Sequence, residues 1–201
     1  MPKRVDVVSV ERVFDGFLKI DAVTHTHERF DGADSPPLTR LVVERGDSAA
    51  ALVHDVERDE IVLVEQFRIA TRAHGSGWLA ELAAGAIDPG EAPEAAMRRE
   101  LREELGYRVR RLARIGVFYL SPGGSSERIH LFCARVRPEM LVDPDASGLA
   151  REQEDIRALR LPRARFLRLA REGALRDAKT MIAAQWLAAR PRPRPPARRR
   201  G

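Results

Sequence analysis

Apolar and polar residues follow a strand-like pattern through the first third of the chain and then change to a helical period. Alternating or continuous apolar runs bounded by Gly, Pro and Asp predict five strands before residue 70. These strands cover residues 5–14, 16–27, 38–46, 48–56 and 60–67. A segment of helical period follows between Pro93 and Gly106. Proline suits the first position of a helix and glycine the position just past its end, so a helix is predicted over 93–105.

The rest of the chain adds further strands and two more helices. The predicted strands are 108–120, 128–137 and 155–161, and the predicted helices are 163–172 and 177–189. Many strands with few helices indicate a mixed sheet covered by helices, which is an α/β fold.

The helix predicted over 93–105 carries two adjacent stripes of side chains. At about 100° per residue, its apolar stripe is formed by Met97, Leu101 and Leu105. Its acidic stripe, directly beside the first, is formed by Glu100, Glu103 and Glu104. Like charges at these spacings repel one another by a few tenths of a kcal/mol per pair. Carboxylates clustered beside a buried face are typical of a Mg²⁺ or Mn²⁺ site. The octapeptide RRELREEL alone, however, favours a solvated helix of ion pairs.

The residues around this helix decide between the two interpretations. Gly85 is followed at fixed spacing by Glu91, Arg99-Glu100-Leu101, Glu103-Glu104 and Gly106-Tyr107. This spacing reproduces every fixed position of the Nudix box: glycine, five residues, glutamate, seven residues, Arg-Glu-apolar, one residue, Glu-Glu, one residue, glycine, apolar. The chain therefore resembles a Nudix hydrolase.

Segments outside the box resemble one branch of that family. LVEQFRIA, ELAAGAIDPGE, YLSPGGSSERIHLF and GLAREQEDI are similar to segments of the ADP-ribose pyrophosphatases, a branch that includes GDP-mannose pyrophosphatases. The likeness covers about residues 40–190. It implies an α/β/α sandwich with a mixed sheet at 46–190 and an N-terminal strand region at 1–45. Those antiparallel strands are expected to form the interface of a homodimer whose sites are shared across it.

The resemblance also implies an activity. The expected reaction is Mg²⁺-dependent hydrolysis of the pyrophosphate bond of a nucleoside diphosphate sugar, with Mn²⁺ as the alternative metal. ADP-ribose, giving AMP and ribose 5-phosphate, is the expected substrate. GDP-mannose is the alternative substrate, since the shared motifs do not separate the two. A Nudix module that binds a nucleotide without cleaving it is the alternative from another class.

Site residues are assigned by the same resemblance. The implied metal ligands are the carbonyl of Ala84, Glu100, Glu104 and Glu154. The implied catalytic residues are Glu152, as general base, and Glu103, which assists at the metal; whether Glu152 or Glu154 is the base stays open. The implied substrate-binding residues are Arg40, Arg68, Ala86, Ser121, Pro122, Gly123 and Glu127. Arg40 is expected to reach the substrate from the partner subunit. Glu91 and Arg99 are expected to form a structural pair that holds the loop against the helix.

Charge and composition narrow the choice of partners. The net charge of +5 comes from the tail RPRPRPPARRRG at 190–201, whose six arginines leave 29 basic against 30 acidic residues in the rest of the chain. Nucleic acid is therefore not an expected partner, and the tail at 191–201 is expected to be disordered. The lone Cys133 is predicted to be a core residue, as are Trp78 and Trp186. No apolar run has the length of a membrane span or signal peptide, so a cytoplasmic location is expected.

Overall fold

The structure is a computed structural model that describes residues 3–148 and 155–190. The described residues divide into two compact units. One contains residues 3–47 and 118–128, and the other contains residues 48–117 and 129–190 as far as these are described.

The first unit is a three-stranded antiparallel sheet. Its strands are β1 (Val5–Asp15), β2 (Lys19–His27) and β3 (Leu38–Glu44), in the order β1-β2-β3. The three strands that the sequence predicts in this region are confirmed. The turn at 121–127 bonds to the end of β3, since Val43 N–H donates to the Gly124 carbonyl and Ser126 N–H donates to the Val43 carbonyl. All eleven residues of β1 are exposed.

A seven-stranded mixed sheet forms the centre of the second unit, and only its strand-end residues 118, 119 and 128 fall within the first unit. Its strands are β4 (Ser48–Asp55), β5 (Glu60–Phe67), β6 (Trp78–Glu81), β7 (Ala83–Ala86), β8 (Ala113–Tyr119), β9 (Arg128–Val136) and β10 (Arg157–Pro162). The order is β10-β5-β4-β9-β8, with β6 paired to β5 and β7 paired to β4. Strands β4 and β9 run parallel, whereas β4 pairs antiparallel with β5 and β7. The predicted mixed sheet is confirmed.

Helices cover both faces of this sheet. They are α1 (Pro93–Glu103), α2 (Arg163–Arg171) and α3 (Ala178–Ala188). Alternate residues of a strand face opposite sides, so Val62 and Val64 pack in one core with α1 while Ile61 and Leu63 are buried on the other face. Helices α2 and α3 pack against β4, β5 and β10. This is the predicted α/β/α arrangement.

The apolar stripe of α1 anchors that helix to the sheet. Met97 and Leu101 are fully buried and Leu105, just beyond the helix, is nearly so, as the sequence predicts. Burial of each such side chain stabilises the fold by about 1.5–3 kcal/mol. Truncation of Leu101 to alanine should therefore cost about 2–5 kcal/mol and loosen the helix from the sheet.

Several boundaries differ from the predicted ones. Helix α1 ends at Glu103, two residues early, because Gly106 takes a φ of +70° and turns the chain. Strand β8 starts at Ala113, since the preceding residues run beside 140–142 and Arg108 N–H donates to the Met140 carbonyl. The sequence WLAELAAGA forms the two short strands β6 and β7, and Ile69–His74 form a 3₁₀ helix between β5 and β6.

The predictions for single residues have different outcomes. Cys133 lies in the core, as predicted. The core prediction for Trp78 is wrong: this residue opens β6 and is 52% exposed, with its ring edge-on to Phe67 at 5.8 Å between centroids. Trp186 is only half-buried, and the Arg190 guanidinium lies 3.6 Å from its ring centroid. Among the described helices, none combines the length and apolarity needed to cross a membrane.

Candidate active site

Strand β7 and helix α1 hold the box residues at the two ends of one short loop. Strand β7 is fixed by β4, with Ala84 opposite Ala50 and Gly85 opposite Ala49. The loop then turns at Gly90, whose φ of +81° favours glycine. Pro93 begins α1, where its fixed φ suits the first helical turn and its missing N–H leaves no bond unmade. The loop therefore returns the chain so that α1 packs beside β7.

Arg99 joins the loop to the acidic stripe. Its Nη2 donates to Glu91 Oε2 and to the Ala86 carbonyl, both at 3.1 Å. Its Nη1 donates to Glu100 Oε1 at 2.6 Å and to Glu103 Oε2 at 3.3 Å. The structural pair predicted for Glu91 and Arg99 is confirmed. One guanidinium thus offsets the repulsion within the acidic stripe and ties the loop to the helix.

The pKa values of this pair move apart because each charge stabilises the other. The hydrogen bond from Arg99 holds the pKa of the Glu91 carboxyl below its usual range, against the opposing effect of desolvation. The hydrogen bond to Glu91 raises the pKa of Arg99 above its ordinary value, and the charge of Glu100 raises it further. Both side chains are therefore charged at neutral pH, as a structural ion pair requires.

Two carboxylates of the acidic stripe lie against the backbone of β7. Glu104 is 2% exposed, and the Ala84 N–H donates to its Oε2 at 3.2 Å. The Glu100 carboxylate occupies the space beside Gly85, where a Cβ would lie 2.0 Å from Oε1 and 2.1 Å from Cδ. Any side chain at position 85 would displace that carboxylate. The glycine of the box is therefore required by the position of Glu100.

The predicted ligand atoms are carboxylate and backbone carbonyl oxygens. These are the ligands that Mg²⁺ prefers, so their chemical type suits a hard divalent cation. Within residues 3–148 and 155–190, no three Asp, Glu, His or Cys side chains are gathered so as to hold a metal ion. The predicted set includes only two described side chains, Glu100 and Glu104, with the Ala84 carbonyl. Its third side chain, Glu154, lies outside the described residues, as does the predicted base Glu152. The ligand assignment stays a prediction.

Arg68, a predicted substrate-binding residue, is hydrogen-bonded to one member of a buried ion pair. It follows β5 directly, its side chain is 45% exposed, and its Nε donates to Glu81 Oε1 at 2.8 Å. Glu81 in turn accepts a short hydrogen bond from the buried Lys179. Sequence reasoning did not single out Glu81 or Lys179. The available signal was a lone charge within each of two apolar runs, WLAELAAGA and KTMIAAQWL.

The remaining predicted substrate residues divide between the two units. Ala86 ends β7 in the second unit. Its carbonyl accepts from Arg99, which also donates to Glu100 and Glu103. Ala84 of the same strand donates to Glu104. The others lie in the first unit and are Arg40, Ser121, Pro122, Gly123 and Glu127. Arg40 is exposed on β3 and donates to its neighbour's carbonyl. Ser121 accepts the turn bond from Gly124 N–H, and Glu127 lies 3.6 Å from Arg45. Their role in binding stays a prediction.

Comparison with known proteins agrees with this geometry. The NUDIX domain matches residues 44–183. The ADP-ribose pyrophosphatase of Escherichia coli (strain K12) is 38% identical over 184 residues, which are 91% of this chain and 87% of that protein. The GDP-mannose pyrophosphatase of Cronobacter sakazakii (strain ATCC BAA-894) is 36% identical over 189 residues, covering 93% of this chain and 96% of that protein.

A solved structure shows the same fold. The crystal structure of an ADP compounds hydrolase superposes with a TM-score of 0.68 at 20% identity, covering 94% of this chain and 97% of the other. The complete box, its packing against β7 and the extent of these matches all agree, and the chain belongs to the Nudix family as a Nudix hydrolase.

Proposed function

We propose that the protein hydrolyses the pyrophosphate bond of ADP-ribose to AMP and ribose 5-phosphate with Mg²⁺. The observation that carries this proposal is the acidic stripe of α1 against the β7 backbone, with Glu104 bonded to Ala84 and Glu100 beside Gly85. Nudix pyrophosphatases of this kind generally use a divalent metal. The ADP-ribose pyrophosphatase relative supports the choice of substrate. GDP-mannose is the second candidate, supported by the relative from Cronobacter sakazakii.

Each residue has a defined task in this proposal. Glu100, Glu104 and the Ala84 carbonyl hold the cation, and Glu103, which is half-buried on the same face, assists. A bound divalent ion polarises phosphoryl oxygens and makes a water molecule easier to deprotonate. Arg68 contacts the nucleotide, since a planar guanidinium can both stack on a base and bond two phosphate oxygens. Glu152 takes the proton from the attacking water, because a carboxylate oxygen is a suitable proton acceptor.

The activity can be tested with a panel of nucleotide sugars. The protein is incubated with Mg²⁺ and ADP-ribose, GDP-mannose or related compounds, and the products are separated by chromatography. ADP-ribose should be consumed fastest, and excess EDTA should stop the reaction. Glu104→Gln should lower kcat at least about a hundredfold with the fold intact. Glu94→Gln is the matched control, because Glu94 is an exposed acid on the first turn of the same helix. Full turnover in EDTA or by Glu104→Gln contradicts the metal-ligand role.

The general base is tested by comparing Glu152→Gln with Glu154→Gln. Loss of a base should lower kcat while the affinities for substrate and metal are nearly kept. Loss of a metal ligand should be partly rescued by raising the Mg²⁺ concentration. Wild-type turnover by Glu152→Gln would remove that residue from the role.

We also infer a homodimer built on the first unit. The support is β1, on which Val5, Val7, Val8 and Val10 are each at least 60% exposed although they are strongly apolar. Contiguous exposed apolar surface on an edge strand marks an interaction site. Light scattering should give the mass of two chains, and a monomer at micromolar concentration would contradict this inference. The cytoplasmic location remains a prediction from the sequence.

A further inference from the structure

We propose that Glu81 and Lys179 are positioning residues for Arg68, a buried ion pair that fixes the plane and direction of the exposed guanidinium. The proposal rests on the proposed function, in which Arg68 contacts the nucleotide. All three residues lie in the second unit.

The Glu81 carboxylate joins two cations of different exposure. Its Oε1 accepts from Arg68 Nε at 2.8 Å, and its Oε2 accepts from Lys179 Nζ. Glu81 is 3% exposed and Lys179 is 8% exposed. Removing a carboxylate and an ammonium from water is unfavourable, and the cost is offset only when both are paired and hydrogen-bonded. A well-packed apolar pair would serve the core equally well, so stability alone does not account for this arrangement.

Helix α3 holds the lysine in place. Asp177 caps the start of α3 by accepting from Thr180 N–H at 2.9 Å, and its Oδ1 accepts from Lys179 Nζ at 3.0 Å. Thr180 is fully buried, and its hydroxyl accepts from the Leu82 N–H at 3.1 Å. Leu82 follows Glu81 directly. The first turn of α3 is thus tied to the end of β6 at two adjacent points, and Lys179 approaches Glu81 from a rigid base.

The guanidinium of Arg68 is held at one end only. Its backbone is fixed, since Arg68 N–H donates to the Gly77 carbonyl at 2.7 Å and Thr71 Oγ1 donates to the Arg68 carbonyl. Its Nε bonds to Glu81, whereas Nη1 and Nη2 form no hydrogen bond to any residue that the structure describes. A planar group held at Nε keeps its two terminal nitrogens directed away from the anchor, which suits bidentate contact with a phosphate or stacking on a base.

Lys179 determines how strongly Glu81 holds the arginine. With Lys179 present, the carboxylate is already fixed and half neutralised on its buried side. Without Lys179, Glu81 becomes a buried anion whose only charged partner is Arg68, and the guanidinium is drawn inward to satisfy both oxygens. Its terminal nitrogens would then leave the direction in which a substrate meets them. The effect of Lys179 on substrate binding should therefore depend entirely on Arg68.

A double-mutant cycle tests this dependence. Steady-state KM and kcat for ADP-ribose are measured for the wild type, Arg68→Ala, Lys179→Met and the double variant, with melting temperatures as a check of folding. Each single variant should raise KM about tenfold with kcat little changed, and the double variant should resemble Arg68→Ala. Arg72→Ala is the control for the arginine, because Arg72 is exposed in the 3₁₀ helix that follows Arg68 and, among the described residues, its side chain donates to the Gly75 carbonyl alone. Equal effects of Lys179→Met with and without Arg68 overturn the proposal.

A spectroscopic readout keeps the test independent of activity. In ¹⁵N-arginine-labelled protein, the Nε–H signal that Arg68→Ala removes should exchange slowly with water in the wild type and faster in Lys179→Met. If Lys179→Met does not fold, Glu81→Gln replaces it, because it keeps the shape and removes the charge. An unchanged signal in the folded variant also overturns the proposal. Absence of ADP-ribose hydrolysis by the wild type contradicts only the proposed function, and the cycle is then measured with the substrate that the panel identifies.

Discussion

Replacing Gly85 by alanine should separate the position of Glu100 from the stability of the fold. The added Cβ would lie 2.0 Å from Glu100 Oε1, whereas ordinary contacts begin near 3.4 Å. The carboxylate must therefore move by about 1.4 Å. The backbone itself accepts alanine, since Gly85 is not among the residues of positive φ and sits in the regular pairing of β7 with β4. The atoms that must move end a side chain, so the cost to folding is small.

The cost to catalysis should be large. A displacement of about 1 Å at a reacting centre can lower the rate about a hundredfold, which corresponds to about 2.7 kcal/mol of barrier. We expect Gly85→Ala to lose at least this factor in kcat while its melting temperature stays within a few degrees of wild type. Binding of Mn²⁺, followed by electron paramagnetic resonance, should weaken in the same variant because a displaced carboxylate is a poorer ligand.

Gly116→Ala is the matched control. It adds the same methyl group within strand β8, where no atom of a described residue other than Gly116 and its two chain neighbours lies within 4 Å of the new Cβ. Its turnover and Mn²⁺ affinity should equal those of the wild type. Wild-type kcat in Gly85→Ala would contradict this prediction, since Glu100 would then not be needed where the structure holds it. Unfolding of Gly85→Ala would contradict it equally, because the displaced group would then be part of the core.

Three further outcomes follow from the pairs and surfaces described above. Glu91→Gln should be less stable than wild type at pH 7, because the bond to Arg99 lowers the pKa of Glu91 in the folded protein. The difference should begin to shrink below the ordinary glutamate pKa of about 4.3 and should disappear only below the lowered folded-state pKa; a constant difference in denaturation midpoints would contradict this. Burial raises the pKa of Cys133 to about 11, so the native thiol should resist Ellman's reagent at pH 8 and react only after denaturation. Mixing Arg40→Ala chains with Glu100→Gln chains should restore partial activity through hybrid dimers, and no recovery would exclude sites shared between subunits.

The sequence predicts most of this fold because its signals are local. Pro93 and the glycine at 106 bound helix α1 to within two residues, and the alternating runs before residue 70 give all five strands. The short strands β6 and β7 escape prediction since Ala, Leu and Glu favour helix, and only pairing with β5 and β4 makes them extended. Trp78 is misassigned for a related reason. Its exposure follows from its position as the first residue of β6, and the local sequence does not indicate where that strand begins.

The site residues also fall into two groups: those that local spacing predicts and those that only the fold brings together. The box spacing predicts Glu100 and Glu104 as metal ligands, because residues four positions apart in a helical segment lie on the same face. The bonds of Arg99 to three carboxylates, and the close approach of Asp143 to Gly106, depend on how distant segments pack. The contact between Glu81 and Lys179 joins residues 98 positions apart. No local pattern can indicate such a pair in a single sequence.

The central strand β4 has a consequence for the synthesis of the protein. Every residue of β4 is buried, and its parallel partner β9 pairs Ile129 with Ser48, 81 positions earlier. A ribosome adding about 5–20 residues per second exposes β4 for about 4–16 seconds before that partner exists. During this interval an apolar strand has an open edge that other nascent chains can join. Fragments that stop short of residue 136 should therefore aggregate. The yield of folded enzyme should depend on chaperones that cover β4 until β9 has been synthesised.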